Sequence, residues 1–230
     1  MPVVLAHRGN AHGPDPAGEN RLPALTAALA RGWGLEIDIR RAADGRFYIA
    51  HDPQPSADAM PAETVCAALR RHPDAAVALN LKELGDEAAL LAFLEAQQVT
   101  AQVCLFDMEL LEPVPGATAR ALRALHPTIA LAARVSDRGE PIARALAVDA
   151  AATIWLDEFD GPWATEADVA RLTRAGRRVW AVSPDLHGGS LADAERRWRD
   201  LLAWGVDGIC TDYPEALQAR LDAARPGVAV

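Results

Sequence analysis

The sequence has few cysteines, no long apolar run and no excess of positive charge. Its cysteines, Cys66, Cys104 and Cys210, are odd in number and far apart, and none has the paired spacing typical of a zinc site or a redox pair. We therefore expect reduced, buried thiols in a cytoplasmic protein. The N-terminal apolar run, residues 3–6, is too short for a signal peptide, and no other apolar run approaches the roughly 20 residues of a membrane span.

The charge balance argues against a nucleic-acid partner. The net charge of the 230 residues is −9, whereas a surface that follows a phosphate backbone is normally basic. Half of the residues are apolar and 24% are charged, which is ordinary for a globular chain with a large core. A small phosphate-containing molecule held in one local site stays compatible with this composition.

Short apolar runs alternate with alanine-rich amphipathic segments along the whole chain. The predicted helices include residues 19–31, 86–97, 165–175 and 191–204, with Thr165 and Ser190 as candidate N-caps. The predicted strands are residues 3–7, 35–39, 76–82, 102–106, 129–134, 153–156, 178–183 and 207–211.

Eight strands that alternate with helices predict a TIM (β/α)8 barrel, of the α/β class, rather than an open sheet. An extra run at residues 47–51 follows a hairpin-type turn at residues 43–45 and should fold back antiparallel on the second strand. No linker or repeat divides the chain, so residues 1–230 are expected to form one domain.

Polar residues accumulate where these predicted strands end. In a TIM barrel the chemistry lies at that end of the strands, so these side chains are expected to share one site. They are His7, Arg8, Glu36, Asp38, His51, Asp52, Asn80, Lys82, Asp107, Arg134, Asp157 and Asp212.

Glu36 and Asp38 lie two residues apart on an apolar strand, so both carboxylates face one side of the sheet. Two such groups repel each other unless a cation lies between them, and all-oxygen ligation favours Mg²⁺ or Ca²⁺ over zinc. The alternative is that they form structural ion pairs with Arg8 or Arg40.

Asn80 and Lys82 repeat this two-residue spacing on the next strand. The amide oxygen of Asn80 could be a neutral third ligand, and Lys82 could neutralise an anionic substrate oxygen. An asparagine at a strand end can equally be an ordinary hydrogen-bonding residue.

His7 and His51 come from different strands but should converge at the same barrel mouth. Two histidines offer an acid and a base near neutral pH, as displacement of an alkoxide from phosphorus requires. Asp52 is not expected to orient His51, because consecutive strand residues face opposite ways. His187 is expected to be an exposed loop histidine.

Four segments together resemble the glycerophosphodiester phosphodiesterase family. They are AHRGN at residues 6–10, GENRLPALTAAL at 18–29, LEIDIRRAADGRFYIAHDP at 35–53 and GVDGICTDYPEAL at 205–217. The resemblance implies a TIM barrel with a small insertion after the second strand. It also implies hydrolysis of a glycerophosphodiester to glycerol phosphate and an alcohol, with a divalent cation, Mg²⁺, Ca²⁺ or Mn²⁺.

The same resemblance implies a role for each matching residue. His7 and His51 match the acid/base histidines, and Glu36 and Asp38 match metal ligands. Arg8 and Lys82 match phosphate contacts, and Glu19-Asn20 match a pair at the edge of the site.

Three positions depart from the family pattern. Asn80 replaces a glutamate that serves as third metal ligand, Val182 replaces a tryptophan, and Gly18 replaces a proline. The first change should weaken cation binding, and the second alters the surface that meets the alcohol. Together with Asp157 as a further substrate contact, these changes leave two alternatives: hydrolysis of another sugar- or polyol-phosphodiester, or binding of a phosphorylated ligand without turnover.

Overall fold

Residues 1–54 and 59–224 are described by a computed structural model, and within them lie ten strands and eight α-helices. The strands are Val3–His7 (β1), Gly34–Arg41 (β2), Phe47–Ile49 (β3), Met60–Pro61 (β4), Val77–Leu81 (β5), Val103–Phe106 (β6), Ala130–Val135 (β7), Thr153–Leu156 (β8), Arg178–Val182 (β9) and Gly208–Thr211 (β10). The helices are Leu22–Ala30 (α1), Ala62–Leu69 (α2), Glu87–Ala96 (α3), Ala117–Leu125 (α4), Ile142–Leu146 (α5), Glu166–Arg174 (α6), Leu191–Ala203 (α7) and Pro214–Ala223 (α8). Three 3-10 turns cover Thr100–Gln102, Met108–Leu110 and Pro184–His187.

Eight parallel strands form a closed barrel in the order β1-β2-β5-β6-β7-β8-β9-β10, and β1 pairs with both β2 and β10. β3 pairs antiparallel with β2, and β4 pairs antiparallel with β3 outside the ring. The predicted TIM barrel with a small insertion after the second strand is therefore confirmed. The extent of the domain over residues 1–230 stays a prediction, since residues 55–58 and 225–230 lie outside the described ranges.

The barrel strands bury both faces, which explains why they are almost wholly apolar. One face packs against the surrounding helices, and the other fills the barrel interior. Large rings occupy this interior, where the centroids of Phe106 and Trp155 lie 4.2 Å apart. The three cysteines are buried and unpaired, as expected.

Register places the candidate site on the interior side of the ring. Leu5 and Ala78 belong to the interior cluster, so alternation directs His7 and Asn80, two residues further along the same strands, to the same side. Glu36 pairs with both His7 and Ala78, and Asp38 pairs with Asn80. The carboxylates of β2 therefore face the barrel interior.

Two element boundaries differ from the prediction. The helix expected from residue 19 begins at Leu22, with Pro23 in its first turn, where a missing N–H costs no helical hydrogen bond. The extra strand ends at Ile49, so His51 lies in a bend beyond it. Within the described ranges, no helix has the length and apolar character needed to cross a bilayer.

Candidate active site

His7, at the end of β1, pairs with a carboxylate from the neighbouring strand β10. Its Nδ1 lies 2.6 Å from Oδ1 of Asp212, which directly follows β10. Asn10 donates to the same carboxylate oxygen at 2.7 Å. An ionised Asp212 accepts the Nδ1 proton, which leaves Nε2 as the reactive nitrogen. That Nε2 faces Glu36 Oε2 at 3.9 Å.

The pKa of His7 is raised above its ordinary value. Burial of the ring opposes its charged form, but the hydrogen bond to Asp212 and the nearby Glu36 carboxyl outweigh that effect. Asp212 therefore supports both the tautomer and the charged form of this histidine.

Asp38 lies at the centre of a group of basic and amide donors. Lys82 Nζ is 3.3 Å from its Oδ1, Arg8 Nε is 3.3 Å from its Oδ2, and Asn20 donates to Oδ2 at 2.9 Å. Although burial opposes the charge, Lys82 and Arg8 hold the pKa of Asp38 below its usual range. The structural ion pair expected as an alternative therefore exists for Asp38 and Arg8.

Glu36 is in a different electrostatic position from Asp38. It is 3% exposed, and its buried Oε2 has no hydrogen-bond partner within the described part of the chain. Burial, followed by repulsion from Asp38, raises the pKa of Glu36 well above that of an ordinary glutamate. An ionised Glu36 needs a cation beside it.

The residues predicted to hold a metal carry the oxygen ligands that a hard divalent cation prefers. Glu36, Asp38 and Asn80 offer oxygen atoms as ligands, which suits Mg²⁺ or Ca²⁺. The orphaned Oε2 of Glu36 is the atom that such an ion would satisfy. Across residues 1–54 and 59–224, however, no cluster of three or more His, Cys, Asp or Glu side chains could hold a metal, so the third oxygen would come from the amide.

Asn80 lies in register with Asp38 on the neighbouring strand. Its Nδ2 donates to Oδ2 of Asp107 at 2.9 Å, and Asp107 directly follows β6. Both residues are buried, at 9% and 6% exposure. Asn80 is thus part of the site, with its nitrogen directed to β6.

Arg8, Glu19 and Asn20 form a braced loop at the edge of the site. Arg8 donates to Glu19 Oε2 at 2.8 Å, and the Asn20 backbone N–H donates to the Arg8 carbonyl at 2.8 Å. Arg8, Asn20 and Asp107 account for three of the four non-glycine residues with positive φ in the described ranges. Such backbone strain concentrates at functional sites, where surrounding contacts hold it in place.

His51 lies at the outer rim, and its side chain is 43% exposed. Its Nδ1 is 2.9 Å from Oδ1 of Asp52, so the expectation that Asp52 would not orient His51 is wrong. Strand alternation does not apply here because β3 ends at Ile49. Arg40 donates twice to the His51 carbonyl, at 2.9 and 2.7 Å, which anchors the bend. A cavity of about 230 Å³ opens between His51 and Arg8.

Asp157 follows β8, across the barrel mouth from the β1 and β2 residues His7, Glu36 and Asp38. It accepts from Arg134 Nη2 at 2.5 Å and lies 2.6 Å from His187 Nε2. Both oxygens are therefore engaged, and its contact with substrate stays a prediction. His187 is exposed in its turn, as expected, but this bond and the ring of Phe159, whose centroid is 4.5 Å away, hold its side chain in place.

Asp107, Arg134 and Asp212 were expected at the strand ends of the site without a specific role, and His187 was expected outside it. The first three carried a detectable signal, since each ends or follows a strand on the chemistry-bearing side of the barrel. His187 carried no such signal, because it comes five residues after β9 in a 3-10 turn. Its partner Asp157 belongs to another strand and is 30 residues away in sequence.

Comparison with known proteins gives structural matches only. No protein-family model matches the sequence, and no curated protein has significant sequence similarity to it. Among solved structures, a Galdieria sulphuraria protein provisionally described as a glycerophosphodiester phosphodiesterase matches with a TM-score of 0.74 at 21% identity. The match covers 96% of this chain and 98% of that one.

Two further solved structures share the fold over nearly their whole length. A phosphodiesterase from Oleispira antarctica, in complex with the product sn-glycerol-3-phosphate, has a TM-score of 0.67 at 20% identity, with coverage of 96% and 97%. A glycerophosphodiester phosphodiesterase from Thermotoga maritima has a TM-score of 0.64 at 16% identity, with coverage of 96% and 98%. The chain therefore shares its entire barrel fold with glycerophosphodiester phosphodiesterases of known structure.

Proposed function

We propose that the protein is a phosphoric diester hydrolase that cleaves a glycerophosphodiester to glycerol phosphate and an alcohol, and that it is a divergent member of the glycerophosphodiester phosphodiesterase family. The observation that carries the proposal is the meeting of His7, Arg8 and Lys82 around the β2 carboxylates Glu36 and Asp38. The fold matches support it, and the product bound to the Oleispira antarctica protein suggests the class of substrate.

Arg8 and Lys82 supply the positive charge for a phosphate. Both now contact Asp38, and their side chains are 20% and 18% exposed, so an incoming diester can reach them from the mouth. A negative substrate oxygen would share these cations with Asp38, and their attraction grows as charge builds up in the transition state. Glu19 and Asn20 would hold Arg8 and Asp38 in place during this step.

His7 and His51 divide the proton transfers between them. Nε2 of His7 exchanges a proton on the inner side of the site, while the Nδ1–Asp212 bond keeps the ring from turning. His51, at the open rim, serves the other oxygen, with Asp52 as its partner. One histidine deprotonates the attacking water or substrate hydroxyl, and the other protonates the departing alkoxide.

The divalent cation, Mg²⁺, Ca²⁺ or Mn²⁺, would be held by Glu36, Asp38 and Asn80. Asp157 would contact the substrate. When bound, the cation would withdraw negative charge from a phosphate oxygen. We also propose a cytoplasmic location, consistent with three unpaired cysteines.

Diester hydrolysis with product identification tests this proposal. Glycerophosphocholine, glycerophosphoinositol and a sugar phosphodiester are each supplied with Mg²⁺, Mn²⁺ or Ca²⁺, and glycerol phosphate is the expected product. His7→Ala and His51→Ala should each abolish turnover with an unchanged circular dichroism spectrum. His12→Ala, which alters an exposed histidine paired with Glu215, is the matched control. Full activity in either site variant would refute the assignment.

The role of Lys82 allows a separate test, because it is the only lysine in the sequence. Amine-directed acetylation can therefore modify only Lys82 and the N-terminal amine. Glycerol 3-phosphate should slow acetylation of Lys82, measured by mass spectrometry, and leave the terminal amine unaffected. Equal protection of both amines would contradict a phosphate site at Lys82.

A further inference from the structure

We propose that Asp107 is a positioning residue that orients the Asn80 amide, so that its oxygen serves the cation site of β2. The inference rests on the proposed function, since it concerns the site formed by Glu36, Asp38 and Asn80. It assigns a role to a residue that lies outside that ligand set.

The side-chain amide of Asn80 points in a defined direction. Asn80 Nδ2 donates to Asp107 Oδ2 at 2.9 Å, and Asp107 belongs to the β6 side of Asn80. The amide nitrogen and oxygen are attached to the same carbon and diverge from it. Because the nitrogen is bound towards β6, the oxygen faces the other neighbouring strand, β2. On that strand Asp38 is the register partner of Asn80.

Both carboxylate oxygens of Asp107 have buried partners. Its other oxygen, Oδ1, accepts from Arg134 Nη1. Arg134 is 4% exposed and also binds Glu140 at 2.9 Å and Asp157 at 2.5 Å. A buried arginine with three carboxylate partners has little freedom to move, so Asp107 receives a fixed position.

The backbone of Asp107 is in the left-handed region. Asp107 has φ +69° and lies directly between the end of β6 and the Met108–Leu110 turn. This left-handed conformation turns the chain sharply, and aspartate tolerates it better than most residues. The strain is thus located at the residue that braces Asn80.

The position of Asp107 also favours a neutral side chain at position 80. A carboxylate at position 80 would face the Asp107 carboxylate at hydrogen-bonding distance, both of them buried, without the intervening N–H. The neutral amide avoids that repulsion and retains one oxygen as a ligand for a cation. Asn80 and Asp107 therefore form a matched pair, which we call the β5–β6 pair.

The test combines an NMR measurement of the amide with a Mg²⁺ titration by calorimetry. The Asn80 side-chain NH2 signal is assigned by its absence in Asn80→Asp. In Asp107→Asn this signal should shift and exchange faster with solvent. The Kd for Mg²⁺ should rise about 10-fold or more, because loss of a residue that orients a metal ligand typically weakens binding by that much. Asp160→Asn is the control, because it removes the same charge from an exposed residue that pairs with Arg138.

The exchanged variant Asn80→Asp/Asp107→Asn distinguishes the orientation of the side chain at position 80 from the charge of the pair. It keeps the total charge and lets the new amide at position 107 donate to the new carboxylate at position 80, so Mg²⁺ should bind at least as tightly as in the wild type. If Asp107→Asn does not fold, the wild-type amide still gives the test: slow solvent exchange and a shift on Mg²⁺ addition are expected.

Several results would overturn the inference. The inference is wrong if Asp107→Asn leaves the Kd for Mg²⁺ or the Asn80 amide signal unchanged. It is also wrong if the exchanged variant binds Mg²⁺ as weakly as Asp107→Asn does. These results would leave the proposed function intact. A wild-type protein that binds no Mg²⁺, Mn²⁺ or Ca²⁺ would overturn both this inference and the metal dependence in the proposed function.

Discussion

The buried carboxylates of the barrel mouth differ in the partner that each one has. Asp38 is held by two cations, Asp212 by His7, and Asp107 by Arg134. Glu36 has one oxygen with no partner among the described residues. A carboxylate in low dielectric takes its charge state from such partners, so residues of the same acidic class here serve different purposes.

Asp212→Asn tests the support of His7 at this scale. The amide preserves the shape of the side chain but removes the charge that favours the His7 imidazolium and its Nδ1 proton. We expect kcat/KM for the diester to fall about 100-fold or more, because general acid–base catalysis contributes roughly that much. Asp52→Asn is the comparison, and its effect should be much smaller because Asp52 is 84% exposed. Equal losses would mean that Asp212 has no special role.

Glu109 provides a pH-dependent test of stability. It is 8% exposed, and burial raises its pKa to about 7. Because the folded state then binds a proton more tightly than the unfolded state, the free energy of unfolding should decrease as pH rises from about 4.5 through 7. Glu109→Gln should flatten this slope and stabilise the protein by about 2 kcal/mol at pH 8. Urea unfolding at pH 5 and pH 8 measures it.

A control for that series is Glu95→Gln, at a side chain that is 58% exposed. Its pH slope should match that of the wild type. The prediction for Glu109 fails if its variant gains the same stability at both pH values, since removal of a raised pKa acts only where the wild-type carboxyl ionises.

The helices show how local chemistry sets the limits of an element. At the start of α6, the Thr165 side chain accepts from the Asp168 backbone N–H, and Asp168 Oδ2 accepts from the Thr165 backbone N–H. Ser190 and Asp193 form the same capping box at the start of α7. The orphan N–H groups at these positions of both first turns are thereby satisfied. Both caps were predicted from sequence, because the pattern is confined to four consecutive residues.

Thr165→Ala tests the capping box of α6. Loss of the cap should lower the free energy of unfolding by about 1 kcal/mol. Thr173→Ala lies in the same helix, where the hydroxyl donates back to the Val169 carbonyl at 3.0 Å on an exposed face. That change should be neutral or slightly stabilising, because alanine is the better helix former. Similar losses from both variants would exclude a capping effect.

Across the whole molecule, Arg134 joins parts of the barrel that are distant in sequence. From β7 it binds Asp107 after β6, Asp157 after β8 and Glu140 in the following loop. Asp157 in turn contacts His187 beyond β9, and Asp107 contacts Asn80 of β5. One buried guanidinium thus connects five consecutive strands at the mouth, on the side opposite His7.

Arg134→Met should therefore destabilise the entire barrel. It leaves three carboxylates without their buried cation, and breaking such a network costs about 3–5 kcal/mol. Arg196→Ala, at an exposed arginine paired with Asp193, should cost less than about 1 kcal/mol. Urea unfolding of both variants measures the difference. A loss below about 1 kcal/mol in Arg134→Met would mean that the network contributes no net stability.

Much of the architecture follows from local patterns. The strand runs, the hairpin after β2 and the capped helices each depend on periodicity or on a few adjacent residues, and the barrel follows from their alternation. The side of the sheet on which Glu36, Asp38 and Asn80 lie also follows, because alternation along a strand is strict. Alternation does not predict the direction of His51, because this residue lies in a bend just beyond the strand that was expected to contain it.

The sequence by itself determined the order of the strands, the end of the barrel that carries the polar groups and most of the side chains gathered there. Only the tertiary structure decided their partners: Asp212 beside His7 across 205 residues, Asp107 beside Asn80, and Glu36 with an oxygen left unpaired among the described residues. The physical reason is closure of the ring. It brings β10 against β1 and sets the register between neighbouring strands, and no local pattern encodes which side chain lies opposite another across the mouth.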